Sequence, residues 1–387
     1  MSNQDSLFSF IDIKKKLGNG ENNYQDLVPA DEKNPLFEHL ISHIKSYLKK
    51  KANDKKTVEC LSGFIKNQLD NKVLKEIIKN GIPKQLPCLR ALLWKAMIGY
   101  LPINDLSQWK KLTLENFKKY NSLKNDYKDF DKKKPKDDND LRLINQITID
   151  LPRTQFEVPF FKEKSKISKN ETNYDVLKRI LYIYARKHID ISYVQGMNEI
   201  VAVLYYIYNL DENPYIKPFI ESDTYFSLEL LLEEMKPILM MNNENYSQLF
   251  VSLKIKEINQ ILSYVEPGLV KYFAKKDLII DVFVIRWMLV MFTQNFTLET
   301  SISFWDRLLT QRNKTNFLCY ISSAVLIINK KKLMKMEMEE IVEWAKDFGD
   351  IVNDKTVGEI VSTAFDIKKK CKYKNKKSGF SLFDLFR

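Results

Sequence analysis

Asp150 and Arg153 stand three residues apart, a spacing at which a carboxylate can hold a guanidinium in one orientation. Held that way, the guanidinium presents a planar, permanently charged fork to whatever approaches it. The same spacing also serves as an ordinary surface ion pair, and this segment alone does not choose between the two. A second cluster, Ser192-Tyr193-Val194-Gln195-Gly196-Met197-Asn198-Glu199, places an amide side chain beside a glycine where a helix is about to begin. Ser192-x-x-Gln195 has the form of a capping box, in which Gln195 bonds back to the Ser192 amide. Gly196 sits badly with that reading, because glycine in a first turn costs roughly 1 kcal/mol relative to alanine. It suits a place where another backbone or a ligand approaches closely.

Both clusters are placed by helical patterns. Leu141, Ile144, Ile147 and Leu151 form one stripe, and Pro152 biases Leu151 away from helical dihedrals, so a helix should end near Asp150 and leave Arg153 projecting from its end. An amphipathic helix over 174–187, with Val176, Leu177, Ile180, Leu181 and Tyr184 inward, precedes the second cluster. Ile200 to Ile207 is apolar on every face and therefore buried. Gln195 should then lie at the start of a buried helix whose first amides and positive dipole end face outward.

Ten glycines in 387 residues is well under half of average usage, about 7%. No G-x-G-x-x-G and no G-x-x-x-x-G-K-[ST] occurs, so the chain has no recognisable phosphate cradle of its own. Few turn residues argue against a sandwich or barrel, and the expected class is all-α. The four cysteines have no C-x-x-C spacing, and His39 and His43 lack the glutamate of H-E-x-x-H, so no metal or other cofactor of the chain's own is expected. The scattered thiols suit a reducing compartment. The first residues have no signal pattern, and the apolar stretch 278–292 is interrupted by Asp281 and Arg286, so a cytoplasmic protein is expected. The formal charge is +12, but the lysines alternate with aspartates and asparagines and no aromatic-interleaved basic motif appears. Nucleic acid is therefore not an expected partner.

Along the chain, residues 1–74 look like a helical extension, and 121–140 is so charged that a mobile loop is expected. Helical patterns run on to about Ile367, with breaks at 211–214, 241–245 and 266–268. Residues 368–387 form a basic stretch followed by Phe380, Phe383 and Phe386, outside any core the pattern defines. That tail can hold an anionic membrane, each basic residue near the surface contributing about 1 kcal/mol; a solvated tail is the alternative.

Ile147-x-x-Asp150-x-x-Arg153 and Tyr193-x-Gln195-Gly196 together resemble the paired signature of the TBC-domain Rab GTPase-activating proteins. Gly81-Ile82-Pro83, Leu89-Arg90 and Trp94 resemble that family's opening motif, and Arg286-Trp287 and Phe304-Trp305-Asp306 its later ones. The order and spacing agree over about 75–365, and the sequence around Tyr193–Glu199 and Tyr205-Tyr206 is similar to the compact subgroup with a nearly bare TBC domain. The resemblance implies a V-shaped, all-α domain of two helical subdomains, 75–235 carrying both fingers and 236–367 following. It implies a GTP-bound Rab as partner, which brings the GTP and Mg²⁺, and a role in regulating vesicle traffic on endomembranes. In that picture the chain is not an enzyme by itself but lends catalytic residues to the GTPase. Arg153 is the arginine finger and Gln195 the glutamine finger that orients the attacking water. Asp150 steadies Arg153, Tyr193 positions the loop of Gln195, and Gly196 allows close approach. Arg90, Trp94, Arg286, Trp287, Trp305 and Asp306 read as framework. A catalytically silent scaffold that binds a Rab is the alternative reading.

Overall fold

A computed structural model of the chain describes residues 86–378, apart from 104, 128–137, 167–169, 214, 240–246, 347 and 349–351, together with 42, 44–46 and 82. Thirteen helices of nine residues or more run through this part. They are α1 Pro87–Ile98, α2 Trp109–Asp126, α3 Asp138–Asp150, α4 Asn173–Lys187, α5 Met197–Asn209, α6 Ile220–Leu239 and α7 Ser247–Val265. After these come α8 Pro267–Lys275, α9 Asp281–Leu289, α10 Leu298–Leu308, α11 Lys314–Ile328, α12 Met338–Lys346 and α13 Asp354–Ser378. Among the described residues the sole β pairing is an isolated antiparallel bridge between Lys164 and Thr172. The chain is all-α, as its scarcity of turn residues leads one to expect.

Local chemistry sets several helix ends. Pro87 opens α1 at a position whose N–H would be unpaired anyway, and Gly99, at φ 92°, closes it in the left-handed region. The capping box forms at the head of α4, where Thr172 accepts from the Asp175 amide and the Asp175 carboxylate accepts from the Thr172 amide at 2.7 Å. The five inward positions predicted for this helix are all buried.

Helix α6 is the hub, packing on α1, α2, α4, α5, α7, α9 and α11. Its buried acids are each matched by a partner from another helix. Glu221 accepts from Arg179 Nε of α4 at 2.6 Å and from the Tyr120 hydroxyl of α2 at 2.8 Å. Asp223 pairs with Lys95 and accepts from the Tyr100 hydroxyl at 2.5 Å. Burial alone would push the Glu221 carboxyl up, but the Arg179 and Lys124 charges and the bonds from Arg179 and Tyr120 outweigh it and hold it at about 2. Asp306 of α10 accepts from Arg90 Nε at 3.2 Å and Trp94 Nε1 at 2.8 Å, while Trp94 lies against Trp305 with ring centroids 5.6 Å apart. Arg90, Trp94, Trp305 and Asp306 thus act as framework, as does Trp287, whose Nε1 donates to Ala345 O at 2.9 Å. Arg286 departs from that expectation, for its side chain is exposed.

Three expectations about the chain's organisation need correction. The charged stretch 121–140 is helical at both ends, since α2 reaches Asp126 and α3 begins at Asp138; residues 128–137 lie outside the described part. Leu123 packs on the core, and buried Asp140 accepts from the Tyr182 hydroxyl at 3.1 Å and faces Arg186 at 3.2 Å, so a segment poor in apolar residues is anchored by polar ones. Helicity does not stop at Ile367 either, because α13 continues to Ser378 with Cys371 buried in the core and Lys368 donating to Gln311 Oε1 at 3.1 Å. Within the predicted stripe of α3, Leu141 is exposed whereas Leu143 packs inward. The extension 1–74, apart from 42 and 44–46, the pair His39 and His43, and the aromatics after Ser378 lie outside the described residues.

Candidate functional site

Helix α3 ends at Asp150, as Pro152 requires, and the chain turns through one 3₁₀ turn, Leu151–Arg153. The turn closes with the Thr154 amide donating to Leu151 O at 3.0 Å and the Thr154 hydroxyl to Asp150 O at 3.0 Å. Arg153 projects from it into solvent. Its guanidinium makes no hydrogen bond or ion pair among the described residues. Asp150 therefore does not pair with Arg153. It is only 8% exposed, and its Oδ2 accepts from the Tyr193 hydroxyl at 2.8 Å.

The second cluster also departs from its local pattern. Ser192 takes φ 57° and Gly196 φ 108°, so α5 begins at Met197 with Gly196 as its N-cap and without a side-chain cap. The Ser192–Gln195 box is absent because Gln195 precedes the cap rather than standing inside the first turn. Its amide is exposed and unpartnered among the described residues. Gly196 is needed twice over. Its φ is one that L side chains rarely adopt, and a Cβ there would lie 2.8 Å from Val290 Cγ1. The neighbour is the Val290 side chain at the end of α9, not the backbone or ligand expected from the sequence.

Between the two exposed side chains runs a chain of buried hydrogen bonds. Tyr193 lies 3.0 Å from Asn198 Oδ1 as well as bonding Asp150, Asn198 Oδ1 also accepts the Gly196 amide at 2.9 Å, and Asn198 Nδ2 donates to Thr154 Oγ1 at 2.7 Å. Tyr174 adds a bond from its hydroxyl to Thr154 O at 2.7 Å. Burial and the Asp150 carboxylate push the Tyr193 hydroxyl well up, so it stays a proton donor. Asp150, Tyr193 and Gly196, predicted as supports, thus form one assembly that holds the Arg153 turn against the Gln195 turn. Thr154, Gln155, Asn198 and Glu199 belong to it too, and none of the four was assigned a role from sequence. The available signal was a pair of adjacent polar residues, Asn198 and Glu199, at the head of a helix otherwise apolar on all faces.

Glu199 is buried and accepts from Gln155 Nε2 at 3.0 Å. Burial pushes its carboxyl up to about 7, against the downward pull of hydrogen bonds from Gln155 and Gln294 and of the Arg286 charge, with Asp150 adding to the rise. No group of three or more His, Cys, Asp or Glu side chains able to hold a metal ion occurs among the described residues. Nor is any described helix long and apolar enough to cross a membrane.

Comparison with known proteins bears on the family and the fold. The chain is 28% identical over 266 residues to the GTPase-activating protein GYP1 of Saccharomyces cerevisiae, covering 64% of this chain and 38% of that protein. It is 30% identical over 178 residues to TBC1 domain family member 13 of Mus musculus, covering 46% of this chain and 44% of that one. The chain thus spans less than half the length of either relative. In three dimensions it resembles the crystal structure of the Ypt/Rab-GAP domain of Gyp1p with a TM-score of 0.65 at 24% identity, over 80% of this chain and 97% of that one, a likeness of fold. Residues 87–334, most of the described part and both exposed side chains with it, match the family described as the Rab-GTPase-TBC domain, and the chain belongs to that family.

Proposed function

We propose that this protein accelerates GTP hydrolysis on a Rab-family GTPase by inserting Arg153 and Gln195 into the partner's nucleotide site. The observation that carries the reading is the pairing of two exposed, unpartnered side chains on turns that buried hydrogen bonds lock together. A functional arginine paired with its own carboxylate would have to break that pair before acting; this one does not. Arg153 neutralises charge developing on the transferring γ-phosphoryl group, a contribution of about 10³–10⁵ in rate. Gln195 orients the attacking water in place of the GTPase's own glutamine. The partner, in its GTP-bound state, brings the nucleotide and Mg²⁺, so the chain acts as an activator and is no GTPase itself. The GTPase-activating relatives named above support this reading. It places the protein in the cytoplasm, regulating vesicle traffic. The exposed Lys369, Lys370 and Lys372 on α13 favour an anionic membrane surface.

Phosphate release from a panel of GTP-loaded Rabs, with and without the protein, tests the proposal. At least one Rab should be stimulated, and stimulation should survive alanine replacement of that Rab's glutamine. Binding to a GTP-loaded Rab without stimulation of any in the panel would instead make the protein a silent scaffold.

A further inference from the structure

The turn after Arg153 reaches across the molecule. Gln155 stands at φ 45°, in the left-handed region, and its Nε2 donates to Glu199 Oε2 at 3.0 Å and lies 3.4 Å from Thr293 O. Thr293 and Gln294 follow α9, in a stretch where Met291 and Phe292 also have positive φ, and Arg286 Nε donates to Gln294 Oε1 at 3.0 Å. Val290, in the same stretch, is the residue that packs on Gly196. One segment, 290–294, therefore touches both finger-bearing turns: the arginine turn through Gln155 and the glutamine turn through Gly196.

We propose that Glu199 is a positioning residue, which through Gln155 latches the Arg153 turn onto the 290–294 segment and so fixes the arginine in register with Gln195. The inference rests on the GTPase-activating reading for its catalytic consequence, but not for the latch itself. Gln155 has a strained backbone, and strain of that kind persists only where surrounding contacts over-determine it. The two amide hydrogens on Nε2 have one acceptor each, Glu199 and Thr293 O, so the side chain has a single satisfied orientation. The bond to Glu199 strengthens when the carboxyl is ionised. The groups facing that carboxyl are Gln155 from the arginine turn, Gln294 and Arg286 from α9 and beyond, Asp150 from α3, Tyr193 before α5 and Tyr174 from α4. Of these, Arg286 favours the ionised form and Asp150 opposes it. With the carboxyl titrating at about 7, the latch tightens as pH rises through neutrality.

Two measurements on the full chain test this. Deuterium exchange reads the latch without any GTPase: Gln155→Ala and Glu199→Gln should each speed exchange of the Thr154 and Val158 amides several-fold while the α4 amides stay unchanged. Unchanged exchange at both amides overturns the latch. Single-turnover hydrolysis on a stimulated Rab reads its consequence. Wild-type stimulated rate, corrected for unstimulated hydrolysis at each pH, should climb roughly tenfold between pH 6 and 8 with KM unchanged, and Glu199→Gln should flatten that profile. Gln155→Ala and Glu199→Gln should each lower kcat about tenfold at pH 8, and the double variant no further. A wild-type profile that Glu199→Gln leaves unaltered, or losses that multiply in the double variant, overturns the positioning role. If no Rab is stimulated by the wild type, the functional reading fails while the exchange experiment still decides the latch.

Discussion

The Tyr193 hydroxyl donates to Asp150 Oδ2 at 2.8 Å, joining residues 43 apart in the chain and, with them, the ends of the two turns that carry Arg153 and Gln195. The acceptor is a buried carboxylate at a helix end, and the donor comes from the loop leading into another helix. Removing the hydroxyl leaves the carboxylate short of a partner in a place water reaches poorly. Tyr193→Phe should therefore cost about 1–3 kcal/mol of stability by urea denaturation. Because the bond also sets the separation of the two turns, stimulated kcat should fall with KM little changed. Asp150→Asn combined with Tyr193→Phe should cost clearly less than the sum of the two, since both remove one bond.

Arg153 separates function from stability. Its guanidinium is exposed and unpartnered among the described residues, so Arg153→Ala should leave the unfolding free energy within about 0.5 kcal/mol of wild type. Stimulated hydrolysis should drop by about 10³ or more. Arg153→Lys should fail nearly as badly, because an ammonium is a hydrated point charge without the planar fork. A lysine variant that keeps most of the activity while the alanine variant loses it would make Arg153 a binding charge instead.

How far the sequence revealed this site depends on whether each contact is local. The apolar stripe of α4 and the stop at Pro152 were legible because helical periodicity and proline sterics act within a few residues. The partner of Asp150 was not legible: spacing pointed to Arg153, three residues away, whereas the carboxylate found Tyr193 across the fold. The Ser192–Gln195 box failed for a related reason. Positive φ at Ser192 and Gly196 turns the chain so that α5 starts one residue past Gly196, and a Cβ at that glycine would meet Val290, contacts that lie beyond the local pattern. The lysine-rich end of α13 hid its helix because one buried residue per turn, Ile367 and then Cys371, was carried among solvated lysines. The family's paired motifs, by contrast, marked Arg153 and Gln195 directly.

Gly196→Ala should be damaging for two separable reasons. The left-handed φ of 108° would be forced on an alanine, and its Cβ would sit 2.8 Å from Val290 Cγ1. Backbone strain of this kind costs about 1–3 kcal/mol, and the steric conflict adds to it. Val290→Ala removes the conflicting methyl but not the strain. The double variant should therefore unfold at higher urea than the sum of the single effects predicts, yet remain below wild type. Full rescue would mean the backbone conformation at this position carries no cost.

The pH dependence of stability should show two limbs of opposite sign. Glu221 is held below its ordinary value of 4.5, at about 2, so its contribution is present above pH 4.5 and lost as pH falls through 2. Since each tenfold change in proton affinity corresponds to about 1.4 kcal/mol, this acid limb is on the order of 3 kcal/mol. Glu199 lies the other way. Its value is raised from 4.5 to about 7, so the folded state binds the extra proton between those values and stability declines as pH rises from 4.5 through 7. Urea denaturation at pH 3, 5 and 8 reads both limbs. Glu221→Gln should flatten the acid limb, and it should cost about 3–5 kcal/mol at pH 7 because Arg179 is left buried with Glu171 as its one remaining carboxylate among the described residues. Glu199→Gln should leave the acid limb intact and remove the decline towards pH 8. An acid limb that survives Glu221→Gln would move the titrating group elsewhere in the fold, and a decline that survives Glu199→Gln would take the neutral-range titration away from the carboxylate that binds Gln155.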